Sequence, residues 1–128
     1  MTPKRGVDLA DLRPEIRRLE PLIDAVYNTF GILAVVTSTN HDGYEFGRKL
    51  HRANSLHYDG LALDLRVKHV GKAKLQTTLH AALVRAIDAD YPGQYDVLLE
   101  GAGSVNAHIH IEASPVLLAS LKAEAVHA

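Results

Sequence analysis

Residues 61–66 place the strongest constraint on the fold, because their sequence, L-A-L-D-L-R, alternates large apolar side chains with small or charged ones. Side chains of a β-strand point alternately to its two faces, so the three leucines share one face and Ala62, Asp64 and Arg66 share the other. The leucines require an apolar core. Taken alone, Asp64 on the open face is typical of a solvated acid paired with Arg66 or a nearby lysine.

A second strand pattern lies at residues 107–112, A-H-I-H-I-E. Its two isoleucines share one face, and His108, His110 and Glu112 share the other. Two histidines that are two residues apart on a polar face can converge on a cation, since neutral imidazole is the commonest metal ligand. An H-x-H pair by itself is also common on hydrated strand edges, so this motif needs a partner to indicate a site.

Asp64 and His57 supply that partner. The chain has no cysteine, which excludes disulfides, thiolate metal sites and a cysteine nucleophile. Asp64 on one strand, His57 in the turn before it and the H-x-H pair together offer two imidazoles and one carboxylate. Three protein ligands with a fourth position left for water are typical of a catalytic zinc site, whereas structural zinc sites close all four positions and favour cysteine.

The remaining pattern predicts a single domain over residues 1–128 with an α+β fold: a small, mostly antiparallel sheet with helices packed on one face. Apolar residues recur at three- and four-residue steps in three segments, and short β-branched runs occur between them. The predicted elements are a helical region over 12–30, kinked or restarted at Pro21 and ended at Gly31, a strand over 32–37, a long loop over 38–55, a helix over 72–90, a strand over 95–100 and a helix over 115–125.

Charge and hydropathy exclude several kinds of partner. The formal net charge is −1, which favours neither nucleic acid nor an anionic membrane. No stretch approaches the roughly 20 apolar residues of a membrane span, and the first residues run directly into charged sequence without an apolar signal core. We therefore expect a protein that is cytoplasmic as synthesised, without a nucleic-acid or membrane partner.

The segment S-L-H-Y-D-G-L-A-L-D, residues 55–64, and the segment A-H-I-H, residues 107–110, together carry a resemblance. They resemble the S-x-H-x-x-G-x-A-x-D and H-x-H motifs of the D-Ala-D-Ala-type zinc peptidases, a family that includes bacterial and phage cell-wall peptidases and shares its fold with the hedgehog signalling domain. The two motifs occur in the family order with a helix between them. The similar part covers residues 37–112, and it implies a hedgehog- and D,D-peptidase-like fold.

The resemblance also implies a role for each matching position. His57, Asp64 and His110 would be the zinc ligands. His108 would be a catalytic group beside the metal that polarises the scissile carbonyl or stabilises the intermediate. Ser55 would shape the turn that presents His57 and lie on the substrate side.

A general base for the attacking water is the remaining requirement. Relatives carry an acid shortly before the last histidine ligand, and Glu100 is the best match here. The six residues that separate it from Ala107, G-A-G-S-V-N, are an insertion relative to that pattern. A hairpin could keep Glu100 over the metal or carry it away, which would leave Glu112 or Asp59 as substitutes, or no base at all.

The long loop offers further candidates for substrate binding. His51 matches a histidine of similar cell-wall peptidases, and Arg52 lies beside it in a basic stretch with Arg48 and Lys49. These cations could bind a peptide carboxylate or a developing oxyanion. A hydrated basic loop is the alternative interpretation.

The resemblance thus implies a zinc metallopeptidase that cleaves peptidoglycan stem peptides, as a D,D-carboxypeptidase or an endopeptidase. A non-catalytic, zinc-stabilised hedgehog-like binding or phage structural module is an alternative, as are a hydrolase of another small amide and a plain α+β domain without metal. Release at phage lysis, delivery on a particle or a partner protein would bring such an enzyme to the cell wall. The sequence leaves the oligomeric state open.

Overall fold

The computed structural model describes residues 1–39, 44–45, 48–49 and 56–127, and seven strands lie within these ranges. The strands are β1 (Thr2–Pro3), β2 (Val35–Ser38), β3 (Tyr44–Glu45), β4 (Arg48–Lys49), β5 (Ala62–Arg66), β6 (Tyr95–Glu100) and β7 (His108–Ala113). Five of them form one sheet in the order β1-β2-β5-β7-β6, and β3 and β4 form a separate antiparallel pair.

The five-stranded sheet is mixed and mostly antiparallel. Only β1 and β2 are parallel among its strand pairs, and the pairs β2–β5, β5–β7 and β7–β6 are antiparallel. The two patterned segments of the sequence, β5 and β7, therefore lie side by side in the interior of the sheet. The predicted α+β class is confirmed.

Four α-helices occur in the described part of the chain: α1 (Pro14–Arg17), α2 (Glu20–Thr29), α3 (Ala73–Asp90) and α4 (Pro115–His127). The predicted helical region over residues 12–30 is two helices, because Pro21 starts a new helix rather than kinking an existing one. Gly31 follows α2 with a φ of 71°, a conformation that favours glycine. None of the described helices is long and apolar enough to cross a membrane.

The main core lies between one face of the sheet and helices α1 to α3. Ile23 of α2 and Leu83 of α3 are buried in one cluster with Leu63 of β5 and Ile109 of β7. Helix α4 packs instead on a smaller cluster that contains Leu117 and lies beside the start of β5. The alternation of β5 and β7 thus buries their leucines and isoleucines, and the histidines and Asp64 lie on the opposite face.

The structure differs from the predicted elements at two places. The predicted strand over 32–37 is shifted to Val35–Ser38, where it pairs with β1 on one side and β5 on the other. The predicted loop over 38–55 contains the short strands β3 and β4. Two-residue strands such as β1, β3 and β4 are too short for a period of two to appear in the sequence.

Truncation of a core leucine tests the assignment of the two sheet faces. Leu63 has no exposed surface, and Leu33 is 72% exposed. We expect Leu63→Ala to lower the free energy of unfolding by about 2–5 kcal/mol, since it leaves a cavity. The matched change Leu33→Ala should stay within about 0.5 kcal/mol of the unmodified protein in equilibrium urea unfolding. Equal effects of the two changes would contradict this placement of the core.

Candidate metal centre

The register between β5 and β7 brings the candidate ligands together. Asp64 pairs directly with His110, and Arg66 pairs with His108. Side chains of directly opposed residues lie on the same face with Cβ atoms about 4.5–5.5 Å apart. The open face of these two strands therefore carries Asp64 and both histidines of the H-x-H motif.

Asp64 contacts two histidines through one oxygen. The Nδ1 atom of His110 lies 2.8 Å from Asp64 Oδ1 and donates a hydrogen bond to it. The Nε2 atom of His57 lies 3.5 Å from the same oxygen. The centroids of the two imidazole rings are 5.1 Å apart. One imidazole nitrogen from each histidine thus converges on the same carboxylate oxygen.

Gly60 explains how His57 reaches the strand face. His57 belongs to a 3₁₀ turn, Leu56–Asp59, and is almost fully buried. Gly60 ends this turn with a φ of 70°, and a Cβ atom there would lie 2.5 Å from the backbone oxygen of Asp11. Its carbonyl accepts a hydrogen bond from the amide of Arg13. Because any larger residue would collide with the segment before α1, glycine is required to hold His57 beside β5.

The three side chains suit a metal ion. One ligand atom from each of His57, Asp64 and His110 lies within 4.8 Å of the others. Ligand atoms at 2.0–2.2 Å from a tetrahedral zinc ion are roughly 3.3 Å apart, close to the observed separation of His57 and Asp64. This group could hold a metal ion, and its donor set of two imidazoles and one carboxylate leaves a coordination position open.

Hydrogen bonding also sets the charges of the group. Burial alone would raise the pKa of Asp64, but its hydrogen bonds with His110 and His57 outweigh burial and hold the pKa of Asp64 well below the ordinary 3.8. Burial would lower the pKa of His110, yet the hydrogen bond to Asp64 and the nearby acids raise that pKa above the ordinary 6.5. The carboxylate of Asp64 is therefore ionised, and it favours the protonated form of the His110 imidazole beside it.

Glu112 has a different place from the one considered from the sequence. Its Oε1 lies 3.4 Å from the Nε2 atom of His110, the nitrogen that does not face Asp64. A carboxylate at the second nitrogen of a ligand histidine fixes the ring orientation and tautomer. Glu112 is thus placed to orient His110. Alternation puts the two residues on one face of β7, but it does not show that their side chains are in contact.

Glu100 lies beside His108 on the open face. The β6–β7 register pairs these two residues, and Glu100 Oε2 is 3.5 Å from His108 Nε2. The Nδ1 atom of His108 donates to the carbonyl of Asn106 at 2.8 Å, which leaves Nε2 directed at the acid. The inserted segment 101–106 thus forms the β6–β7 connection and keeps Glu100 within reach of the H-x-H motif. Asp59, the other substitute, is an exposed residue of the 3₁₀ turn.

Buried Gln76 of α3 anchors this connection. Its Oε1 accepts a hydrogen bond from the amide of Gly103 at 2.9 Å, and its amide group donates to the carbonyl of Gly71. The hairpin that precedes His108 is therefore fixed to the helix layer. Gln76 was not singled out in the sequence, because a polar residue on a helix face signals burial only when its partners are known.

The other sequence candidates divide into two groups. The candidate substrate-binding residues Ser55, His51 and Arg52 lie outside the described residues. His69 and His80, which belong to neither sequence motif, hydrogen-bond to backbone carbonyls, and His80 binds the carbonyl of Val97 in β6. Neither belongs to the metal group.

In comparisons of the chain with protein-family models, curated proteins and solved structures, no match was found.

Removal of one ligand should abolish stoichiometric metal binding. We expect the purified protein to bind one equivalent of zinc, and we expect His110→Ala to weaken that binding by more than the roughly 10–100-fold typical of an outer-shell change. The matched control His69→Ala should retain full affinity, since exposed His69 contacts Leu33 rather than the metal group. Calorimetric titration and elemental analysis measure both. Equal affinity of the two variants would contradict the site.

Protonation of His110 predicts opposite pH dependences for the metal-free and the zinc-loaded protein. Because folding raises the pKa of His110, the stability that this group contributes is present below its ordinary pKa of 6.5 and is lost as the pH rises through the raised value. Zinc bound at this group would require the neutral imidazole and displace the proton, so stabilisation by zinc would grow over the same range.

Thermal unfolding from about pH 6 to about pH 8.5, with chelator or with zinc, measures both slopes. In the metal-free protein, Asp64→Asn should flatten the decline, because the hydrogen bond that raises the pKa of His110 is weakened. A metal-free slope that Asp64→Asn leaves unchanged would contradict the role of this pair.

Proposed function

We propose that this protein is a zinc-dependent peptidase that cleaves stem peptides of peptidoglycan, as a D,D-carboxypeptidase or an endopeptidase. The observation that carries the proposal is the placement of an acid and a second histidine, Glu100 and His108, on the sheet face that carries the three-residue metal group. The resemblance of residues 55–64 and 107–110 to the two peptidase motifs supports the choice of substrate.

Zinc held by His57, Asp64 and His110 would act as a Lewis acid that polarises the scissile carbonyl and acidifies the attacking water. The three ligands come from β5, β7 and an adjoining turn that is fixed by Gly60. Ligands on rigid, packed elements hold their geometry better than ligands on loops. The site therefore needs little reorganisation when a substrate binds.

Glu100 is the proposed general base. Its carboxylate is half exposed, so it can accept a proton from water and pass it to the leaving amine. His108 donates through Nδ1 to the carbonyl of Asn106, so its Nε2 faces Glu100 and can donate a hydrogen bond only in the charged ring. A protonated His108 would thus stabilise the negative charge on the carbonyl oxygen of the tetrahedral intermediate.

Leu98 offers an apolar contact for a peptide side chain. It pairs with His110 across the β6–β7 ladder and is 46% exposed on the open face. An exposed leucine beside polar residues is suited to hold a small apolar side chain such as the methyl group of alanine. This supports a substrate with short apolar residues near the cleaved bond.

The direct test is incubation of the zinc-loaded protein with soluble muropeptides, followed by mass spectrometry, with a chelated sample in parallel. We expect products only with metal, and their masses identify the bond. Glu100→Gln should reduce the rate by about 10²–10⁴-fold while zinc remains bound. Glu124→Gln on α4, an exposed residue, is the matched control and should retain full activity.

Two outcomes would count against the peptidase. Stoichiometric zinc with intact muropeptides would favour the zinc-stabilised binding module. Loss of zinc in Glu100→Gln would show that this residue supports the metal rather than the proton transfer.

A further inference from the structure

A cation-lined cleft opens on the same sheet face as the metal group. Its volume is about 410 Å³, and its walls include Lys4, Arg66 and Lys68 together with Asp64, His108 and Asn106. Asp64 and His108 belong to the candidate site itself, so the cleft continues directly from the metal group. A ligand bound near the metal would extend into it.

Within the described part of the chain, no carboxylate neutralises the positive charge of the cleft. Among the described residues, no ion pair joins Lys4, Arg66 or Lys68 to a carboxylate. Asp64, the acid in the wall, is already bound to two histidines. Three unpaired cations around one cleft are unusual in a chain whose formal net charge is −1, and they favour an anionic ligand.

Arg66 is the best placed of these cations. Its Nε atom is buried and has no hydrogen-bond partner among the described residues. A buried donor without a partner is costly, and the Arg66 side chain as a whole is partly exposed in the wall of the cleft. A planar guanidinium binds a carboxylate through two parallel hydrogen bonds, which makes a carboxylate a fitting partner.

The distance along β5 limits how far this carboxylate lies from the metal group. Asp64 and Arg66 are two residues apart on one strand, a backbone separation of about 6.7 Å, and their side chains share one face. An extended peptide advances at most about 3.3–3.6 Å per residue. A carboxylate at Arg66 is therefore one or two residues away from a carbonyl at the metal.

We infer that this cleft binds the free C-terminal carboxylate of the peptide substrate through Arg66, assisted by Lys4 and Lys68, so that the enzyme removes one or two residues from a chain end. This inference rests on the proposed peptidase function and decides between its two forms: a carboxypeptidase is favoured over an endopeptidase. Cleavage inside a longer peptide would place no free carboxylate in the cleft, so the charge of the three cations would stay unpaired.

The test compares an N-acetylated tripeptide that ends in D-Ala-D-Ala with its C-terminal amide, both on the zinc-loaded protein. Calorimetry or fluorescence titration measures affinity, and chromatography measures turnover. We expect the acid to bind about 10-fold or more tightly than the amide, because a charged hydrogen-bond partner is lost in the amide. The KM for the acid should be lower in the same proportion.

Arg66→Gln should reduce the affinity for the acid to that for the amide, at unchanged zinc content. Lys68 is exposed, so the fold should tolerate Lys68→Gln, and this change should reduce the acid preference in part. This second variant keeps the test decisive if Arg66→Gln does not fold. Arg85→Gln on the exposed side of α3 is the matched control and should preserve the preference.

The outcomes separate the two proposals. Equal affinity for acid and amide, or an acid preference that survives Arg66→Gln, overturns the carboxylate site even if both peptides are cleaved; the latter result would place the carboxylate on the metal. An acid preference that depends on Arg66 without any turnover supports the carboxylate site and overturns the peptidase.

Discussion

The pairing of Asp64 with His110 across β5 and β7 is the constraint on which the candidate site depends. Their neighbours along each strand, such as Leu63 and Ile111, are fully buried against the helices and pair with each other. A slip of one residue would expose these apolar side chains and bury the acid and the histidine. The same burial energy that stabilises the sheet therefore fixes the register of the ligands, and the site needs no separate device to assemble it.

A carboxylate in this position must be compensated electrostatically. Burial of Asp64 opposes its ionised form, and hydrogen bonds with His110 and His57 reverse that effect. His110 donates its Nδ1 proton to Asp64, and a metal ion bound through that nitrogen would have to displace the proton. The Glu112 carboxylate lies at the opposite nitrogen of His110. Its negative charge favours a positive charge on the group, whether this is the proton on His110 or a bound metal ion. The metal-free fold is thus already arranged around a positive charge.

The sequence predicted which residues share a face better than which residues touch. Alternation placed Asp64 and the histidines on one open face, and parity placed Glu100 opposite buried neighbours, because both follow from a period of two. The contact of Glu100 with His108 depends on strand order and register, and the contact of Glu112 with His110 on one strand depends on rotamers; alternation leaves all of these open. In the sequence, Arg66 was a candidate ion-pair partner of Asp64, whereas in the structure it lines a cleft with two lysines.

The row formed by Arg66, His108 and Glu100 connects the two proposals. These residues are paired in succession across β5, β7 and β6, so their side chains stand side by side on the open face. Neighbouring strands are about 4.8 Å apart, which puts the two ends of the row about 10 Å apart at the backbone. In a leaving amino acid, a carboxylate bound at Arg66 would direct the amine towards His108 and Glu100, the residues proposed to handle protons. A single amino acid spans at most about 3.6 Å of backbone, so the long side chains of Arg66 and Glu100 would have to reach inwards to contact its two ends.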